Sequence, residues 1–142
     1  MLVLDTDHMT ILYWDPESDD SLRLQQRLDQ HPHENPVTNI VTYEEQSRGW
    51  LAYVKRAKTR SQMTAAYELL AIHAKVYGRI DILGLDDRAF SKSVELQRAR
   101  LGVGTQDLKI AAIALAHDAT LLSRNLKHFE KIPGLRVEDW TV

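Results

Sequence analysis

The sequence contains no cysteine, only four prolines and six glycines, and no large excess of charge of either sign. The lack of cysteine excludes disulfides, zinc–thiolate sites and cysteine nucleophiles, so any metal ligand must come from Asp, Glu, His or Asn. The 18 basic and 20 acidic residues give a formal net charge of −2. This balance excludes attraction of the whole molecule to a polyanion as a driving force for binding.

Long hydrophobic runs are also missing, because no stretch approaches the roughly 18 apolar residues that cross a bilayer. The first segment has no basic region ahead of its apolar residues and no small-residue cleavage site, so we expect a cytoplasmic protein without membrane association. The chain has 142 residues, of which 44% are hydrophobic. Folding at that length buries roughly two-thirds of the unfolded surface, and we expect one domain covering residues 1–142.

Short apolar segments alternate with helical patterns along the whole chain. The predicted strands cover residues 2–5, 37–42, 79–85, 119–123 and 135–140. Strands that alternate with helices favour a mostly parallel sheet, joined by right-handed crossovers and covered by helices on both faces.

Local signals predict several helices. A first helix is expected over residues 6–14, beginning with Thr6 or Asp7, and a second should have Asp15 as its N-cap and Pro16 at its first helical position. The helical stretch from Leu108 to Ala116 is apolar nearly all round, so it should be buried.

Acidic and amide side chains follow the predicted strands or begin the helices after them: Asp5, Glu44, Glu45, Asp107 and Asn125. In a parallel sheet, ligands bind outside the carboxyl ends of the strands. A single acid at a helix N-terminus is explained by its favourable interaction with the helix dipole. Several acids at one edge repel one another, and the usual solution at neutral pH is a divalent cation. Oxygen ligands without thiolate point to a hard ion such as Mg²⁺ or Mn²⁺.

Four stretches resemble a known family in order along nearly the whole chain: LDTD, VTYEEQSRG, GTQDLKIAAIALA and LLSRNLKHFEKIPGLRVEDW. They are similar to the PIN-domain ribonucleases, particularly the VapC-type toxins of bacterial toxin–antitoxin pairs. The resemblance implies a three-layer α/β/α fold with a mostly parallel central sheet. It also implies a Mg²⁺-dependent endoribonuclease, with RNA as substrate, a cognate antitoxin as partner and a homodimer as assembly.

The resemblance assigns metal binding and catalysis to Asp5, Glu45 and Asp107. Glu45 rather than Glu44 matches the middle acid of the family, because it stands four residues before Gly49. A Mg²⁺ ion, or Mn²⁺ in its place, on Asp5 and Asp107 would polarise the phosphodiester. Glu45 would orient the water shell of the ion or accept a proton.

Two positions depart from the pattern of the family. Asn125 stands where many relatives have a fourth Asp, and His128 stands where an Asp often precedes the Phe. We keep Asn125 among the catalytic candidates, since a second metal would depend on it, on water or on RNA phosphate. Ser123 is expected to position a water or a ligand, and Asp7 either adds a carboxylate or caps the first helix.

The six histidines show no shared spacing that is typical of a zinc site, so we interpret them as structural or solvent-exposed. Candidate contacts to RNA phosphates are Arg48, Lys55, Arg56, Arg124 and Lys127. For the basic run over residues 48–60, the alternative to phosphate contact is an ordinary solvated helix face. Tyr13 and Trp14 are expected in the core, or at the antitoxin interface that the resemblance implies.

Two other functions remain open at the level of sequence. A haloacid-dehalogenase-type phosphatase begins with Asp-x-Asp-x-Thr/Val, but Met9 breaks the last position of that motif and leaves Glu45 and Asp107 without a role. A non-catalytic PIN-like module that binds RNA or protein is the second alternative, because Asn125 replaces an acid.

Overall fold

The structure is a computed structural model that describes residues 1–142. The strands are β1 (Leu2–Leu4), β2 (Pro36–Asn39), β3 (Ile82–Leu83), β4 (Thr120–Leu122) and β5 (Arg136–Glu138). The helices are α1 (Thr6–Trp14), α2 (Asp19–Asp29), α3 (Ile40–Arg56), α4 (Arg60–Tyr77), α5 (Asp87–Arg98), α6 (Thr105–Ala116) and α7 (Leu126–Phe129). No helix combines the length and the hydrophobicity that crossing a membrane requires.

All strands pair in parallel in one five-stranded sheet with the order β3-β2-β1-β4-β5. The central strand β1 places Val3 opposite Val37 on one side and opposite Leu121 on the other. The chain builds the sheet outward from β1 in one direction and then continues on its other side with β4. The carboxyl ends of β1 and β4 therefore form the topological switch point at which such sheets bind ligands.

Two hydrophobic cores cover the two faces of the sheet, so the fold has three layers. Val3 belongs to the core that packs against α5 and α6, whereas Leu2 and Leu4 belong to the core that packs against α1, α2 and α4. Successive side chains of a strand point to opposite faces, which explains this division. The predicted α/β/α architecture with a mostly parallel sheet is confirmed.

Helix α6 is buried, as its sequence predicts. Every residue from Ile110 to Ala114 is at most 1% exposed. Burial of a side chain such as Ile110 or Ile113 stabilises the fold by about 2 kcal/mol. The helix is therefore firmly anchored, and its first turn holds Asp107 at a fixed position beside the sheet.

The second helix begins later than predicted. Ser18, not Asp15, is its N-cap, and the Ser18 hydroxyl accepts a hydrogen bond from the Ser21 N–H at 3.2 Å. Asp15 instead accepts the Ser18 N–H at 3.1 Å and closes a turn that contains Pro16. Ser18 is the stronger start because two acids follow it in the first turn, where they interact favourably with the helix dipole.

All five strands are shorter than predicted, including the second and the third. The second ends at Asn39, because the Asn39 side chain accepts the Thr42 N–H at 2.9 Å and starts α3 at Ile40. The β-branched residues that follow Asn39 therefore belong to a helix. The third strand is reduced to Ile82–Leu83, since it lies at the edge of the sheet and pairs only with β2.

Candidate active site

Asp5 lies directly after β1, at the switch point of the sheet, and its side chain is almost completely buried. One carboxylate oxygen accepts the Thr6 N–H at 2.7 Å, which makes Asp5 the N-cap of α1. The other accepts the Ser123 hydroxyl, from the loop after β4, at 2.7 Å. Asp5 therefore caps the first helix, which begins at Thr6 as predicted, and the same carboxylate joins the two central strands.

Burial raises the pKa of Asp5 to about 6, and the negative charges of Asp7 and, less strongly, Asp107 act in the same direction. Hydrogen bonds from Ser123 and Thr6 oppose this shift in the pKa. Both of these donors are neutral, so they do not compensate the charge of the carboxylate. The structure thus holds a buried acid with negatively charged neighbours, an environment that a cation would stabilise.

The two adjacent glutamates of α3 have different surroundings. The Thr6 hydroxyl donates to Glu45 Oε2 at 2.7 Å, so Thr6 links Glu45 to Asp5. Glu44 instead accepts a hydrogen bond from Gln106 and pairs with Arg48, both at 3.0 Å, and these contacts lower its pKa. Only Glu45 is therefore directed towards the buried acid.

Asp107 and Asn125 meet near Asp5, close enough for the charge of Asp107 to act on the pKa of Asp5. The Asn125 Nδ2 group lies 3.4 Å from Asp107 Oδ2, and the Asn125 backbone N–H donates to the Ser123 hydroxyl at 3.0 Å. Ser123 therefore connects Asp5 with the loop that holds Asn125. The predicted residues Asp5, Ser123, Asp107 and Asn125 lie together at one edge of the sheet, with Glu45 attached through Thr6.

His128 also belongs to this cluster. Its side chain is half exposed, which agrees with the interpretation of the histidines as structural or solvent-exposed, but its contacts with the cluster were not predicted. Its Nδ1 atom lies 3.0 Å from Asn125 Nδ2 and 3.5 Å from Asp107 Oδ2. The signal in the sequence was its position three residues after Asn125, which brings the two side chains to the same face of a helical turn.

Asp7 lies at the rim of the site and is held by His8. The completely buried His8 donates from Nδ1 to Asp7 Oδ1 at 2.6 Å, because its Nε2 atom accepts the Trp140 N–H at 3.2 Å. The backbone N–H of Arg124 also donates to Asp7, at 3.0 Å. His8 is thus one of the structural histidines that the sequence analysis allowed, but its contact with Trp140, 132 residues away, could not be found from the sequence.

The donor set of the cluster fits a hard divalent cation, since it consists of carboxylates and an amide around a buried acid. No group of three or more His, Asp or Glu side chains is arranged to hold an ion by itself. Mg²⁺ in proteins usually keeps several waters and binds one or two carboxylates. Asp5 and Asp107, with water, would therefore be enough, and the metal-ligand set Asp5, Glu45 and Asp107 stays a prediction.

The candidate RNA contacts fall into two groups. Arg124 and Lys127 flank the acidic cluster, and Arg124 pairs with Asp20 at 3.3 Å. The others lie on α3: Arg48 is paired with Glu44, whereas Lys55 and Arg56 are exposed in the last turn. From the rise of an α-helix, that turn is about 16 Å from Glu45. Lys55 and Arg56 are thus well separated from the acidic cluster, whereas Arg48 lies within one turn of Glu45.

An aromatic groove lies between α1 and α3. It has a volume of about 440 Å³ and is lined by Trp14, Trp50, Tyr53 and Arg56. The Trp14 and Trp50 rings are 4.6 Å apart, and Trp50 meets Tyr53 edge-on at 6.1 Å. Trp14 is only half-buried, so the sequence-based expectation of a core position is wrong for this residue.

Comparisons with known proteins agree with this architecture. The family profile of the PIN domain matches residues 2–135. Ribonuclease VapC2 of Rickettsia felis is 46% identical over 46 residues, which cover 32% of this chain and 34% of that protein. The tRNA(fMet)-specific endonuclease VapC of Salmonella typhimurium is 35% identical over 75 residues, which cover 50% of this chain and 57% of that protein. The chain thus matches less than two-thirds of the length of either relative.

Among solved structures, DNA-bound VapBC from Salmonella typhimurium contains a similar chain. The two chains superpose with a TM-score of 0.72 and are 27% identical in sequence, and the match covers 98% of this chain and 97% of that chain.

Proposed function

The chain belongs to the PIN-domain family, and on that premise we propose that it is a metal-dependent endoribonuclease and the toxin of a toxin–antitoxin pair. The observation that carries the proposal is Asp5, a buried carboxylate at the switch point of the sheet whose hydrogen-bond donors are all neutral. Relatives named as a ribonuclease and as a tRNA(fMet)-specific endonuclease support RNA as the substrate class.

The proposed cofactor is Mg²⁺, with Mn²⁺ as a substitute. Asp5 and Asp107 would hold the ion, with Glu45 oriented towards its water shell. When bound, the ion polarises the phosphodiester and lowers the pKa of a water molecule. The raised pKa of Asp5 supports this assignment, because a cation would stabilise the ionised form at neutral pH.

The protein's own side chains supply orientation and a proton acceptor. Thr6 and Ser123 each bond one oxygen of Asp5, which prevents the carboxylate from rotating. The Thr6 hydroxyl bonds Glu45 Oε2, so Glu45 Oε1 is left to accept a proton from the attacking water. Asn125 lies beside Asp107 and would bind a phosphate oxygen or a water through its amide.

The aromatic groove supports an antitoxin peptide as the partner. Trp14, Trp50 and Tyr53 offer an apolar surface, and aromatic side chains in a groove are typical anchors of a protein interface. A homodimer is proposed as well, supported by exposed apolar side chains on α3 and α4: Leu51, Met63, Tyr67 and Ile72.

The phosphatase alternative is not supported by the site. Met9 is buried in the core instead of lining the site. Asp7, which would be the second acid of the phosphatase motif, is bonded by His8 and Arg124.

Cleavage of total RNA and of a tRNA pool by the purified, antitoxin-free protein tests the proposed function. With Mg²⁺ or Mn²⁺ we expect discrete fragments, which disappear with EDTA and in Asp5→Asn. Removal of the proton acceptor in Glu45→Gln should lower the cleavage rate by roughly 10²- to 10³-fold. Glu44→Gln is the matched control and should retain nearly the full rate, because Glu44 is directed towards Gln106 and Arg48.

An absence of cleavage with both metals, in a protein whose circular dichroism shows the helical fold, would overturn the nuclease proposal. The non-catalytic module that binds RNA or protein would then be favoured, and Asn125→Asp would show whether the missing acid is the reason.

A further inference from the structure

We propose that His128 is a ligand of the catalytic metal ion and that it shifts the preference of the site from Mg²⁺ towards first-row transition-metal ions. The inference rests on the proposed function, because it concerns the ion which that function requires. It assigns a role to a residue that lies outside the predicted set of metal ligands, Asp5, Glu45 and Asp107.

Three polar atoms of Asp107, Asn125 and His128 form a small triangle. The Asp107 Oδ2 to Asn125 Nδ2 distance is 3.4 Å, the Asn125 Nδ2 to His128 Nδ1 distance is 3.0 Å, and the His128 Nδ1 to Asp107 Oδ2 distance is 3.5 Å. For metal–ligand distances of about 2.1 Å, neighbouring ligands are roughly 3.0 Å apart in an octahedron and roughly 3.4 Å apart in a tetrahedron. The three atoms thus have the separations of ligands in one coordination sphere.

The chemistry of each atom suits this role. Asn125 Nδ2 donates to both neighbours, so His128 Nδ1 is the unprotonated ring nitrogen and has a lone pair that an ion can bind. A half-turn of the Asn125 amide places its carbonyl oxygen where the nitrogen lies, and that oxygen is a metal ligand. Although Asn is a favoured N-cap, the Asn125 side chain makes no capping hydrogen bond to α7. Its amide is therefore available for an ion.

The position of His128 is fixed by its neighbours in the chain. Phe129 is fully buried and Ile132 is 3% exposed in the core beneath α7, so the short helix is anchored against the fold. Asp107 is anchored in the same way by the buried helix α6. Half of the His128 side chain remains exposed, which leaves room for an ion and its water molecules.

An imidazole nitrogen changes the selectivity of an otherwise oxygen-rich site. Mg²⁺ prefers carboxylate and water oxygens in near-octahedral geometry, whereas imidazole is a good ligand for transition-metal ions. With Asn125 and His128 at positions where acids would favour Mg²⁺, the site carries less negative charge and one nitrogen donor. Both changes lower the affinity of the site for Mg²⁺ more than its affinity for a transition-metal ion.

Electron spin-echo envelope modulation of the full-length protein with one equivalent of Mn²⁺ tests the assignment, because it detects a directly bound imidazole nitrogen. We expect the nitrogen signal in the wild type and in His117→Ala, a control at the opposite end of α6. The signal should disappear in His128→Ala and in His128→Asp. Calorimetry should show Mn²⁺ binding roughly tenfold weaker in His128→Ala, a loss typical of a disturbed metal site. His128→Asp should raise Mg²⁺ affinity relative to Mn²⁺.

Bound Mn²⁺ without a nitrogen signal in the wild type, or with a signal that persists in His128→Ala, would overturn this inference and leave the proposed nuclease intact. Failure of millimolar Mn²⁺ and Mg²⁺ to bind the wild type would overturn both the inference and the metal requirement of the proposed function. Circular dichroism of each variant checks that the protein still folds when the half-exposed His128 side chain is replaced.

Discussion

Asp5 is buried beside other acids, and its ionised form is therefore unfavourable in the protein without a cation. Its pKa is raised from 3.8 to about 6, so the folded state binds the proton of Asp5 more tightly than the unfolded state. The resulting stabilisation is complete below pH 4 and is lost as the pH rises through about 6. A residue that suits metal binding thus lowers the stability of the metal-free fold at neutral pH.

Replacement of Asp5 by Asn should stabilise the metal-free protein above pH 6, because the charge is removed while Thr6 and Ser123 keep polar partners. At pH 8 we expect a gain of up to about 3 kcal/mol in the free energy of unfolding, which disappears at pH 4. Urea unfolding in EDTA measures it, with the exposed Asp29→Asn as control. A gain that is equal at both pH values would contradict the proposed cause.

The start of helix α3 depends on the side chain of Asn39, which is completely buried. Its oxygen accepts the Thr42 N–H at 2.9 Å, and its amide nitrogen donates to the Thr42 hydroxyl at 3.0 Å. A weaker contact at 3.5 Å joins the same nitrogen to the carbonyl of Leu4, the residue before Asp5. The cap therefore fixes the helix that contains Glu45 relative to β1, the strand that Asp5 follows.

Loss of this cap in Asn39→Ala should destabilise the protein by about 2 to 3 kcal/mol, because a helix cap is removed and buried polar groups lose their partner. The control is Thr59→Ala, which removes the exposed cap of α4 and should cost about 1 kcal/mol. Chemical denaturation of both variants measures the difference. Equal losses would show that burial of Asn39 adds nothing to the capping effect.

At the scale of the whole molecule, the charge distribution restricts how the proposed RNA substrate could bind. The formal net charge is −2, so the protein as a whole does not attract a polyanion. Binding must come from a few basic side chains near the acidic cluster and along α3. Of these, Arg48 and Arg124 are already engaged in ion pairs, whereas Lys127 is exposed beside the site.

RNA affinity should therefore depend only moderately on salt. With about three or four phosphate contacts, the logarithmic slope of affinity against salt should be roughly −2 to −3, and Lys127→Ala should reduce its magnitude by about 0.7. Fluorescence anisotropy with Asp5→Asn protein, which leaves the RNA intact, measures the slope. Lys92→Ala is the control, since Lys92 lies beside the opposite end of α6. An unchanged slope in Lys127→Ala would exclude a phosphate contact there.

The sequence alone determined the alternation of strands and helices, the burial of α6 and the edge of the sheet that contains Asp5, Asp107 and Asn125. The strands, the helices and the burial of α6 follow from hydrophobic periodicity, which depends on short stretches of sequence. The position of the acids follows from the geometry of parallel sheets, which is the same in any chain of this class. Helix starts with competing caps were less predictable: Ser18 replaced Asp15, and Asn39 ended a strand early.

Only the tertiary structure decided which side chains complete the site. Asp5 meets Ser123 across 118 residues, and His8 meets Trp140 across 132 residues. The spacing in the sequence already favoured Glu45 over Glu44 as a site residue. The contact between Glu45 and Thr6, however, forms only when α1 and α3 pack together. His128 joined Asp107 for the same reason. Periodicity and capping signals extend over a few residues, whereas the geometry of the site depends on how distant elements pack.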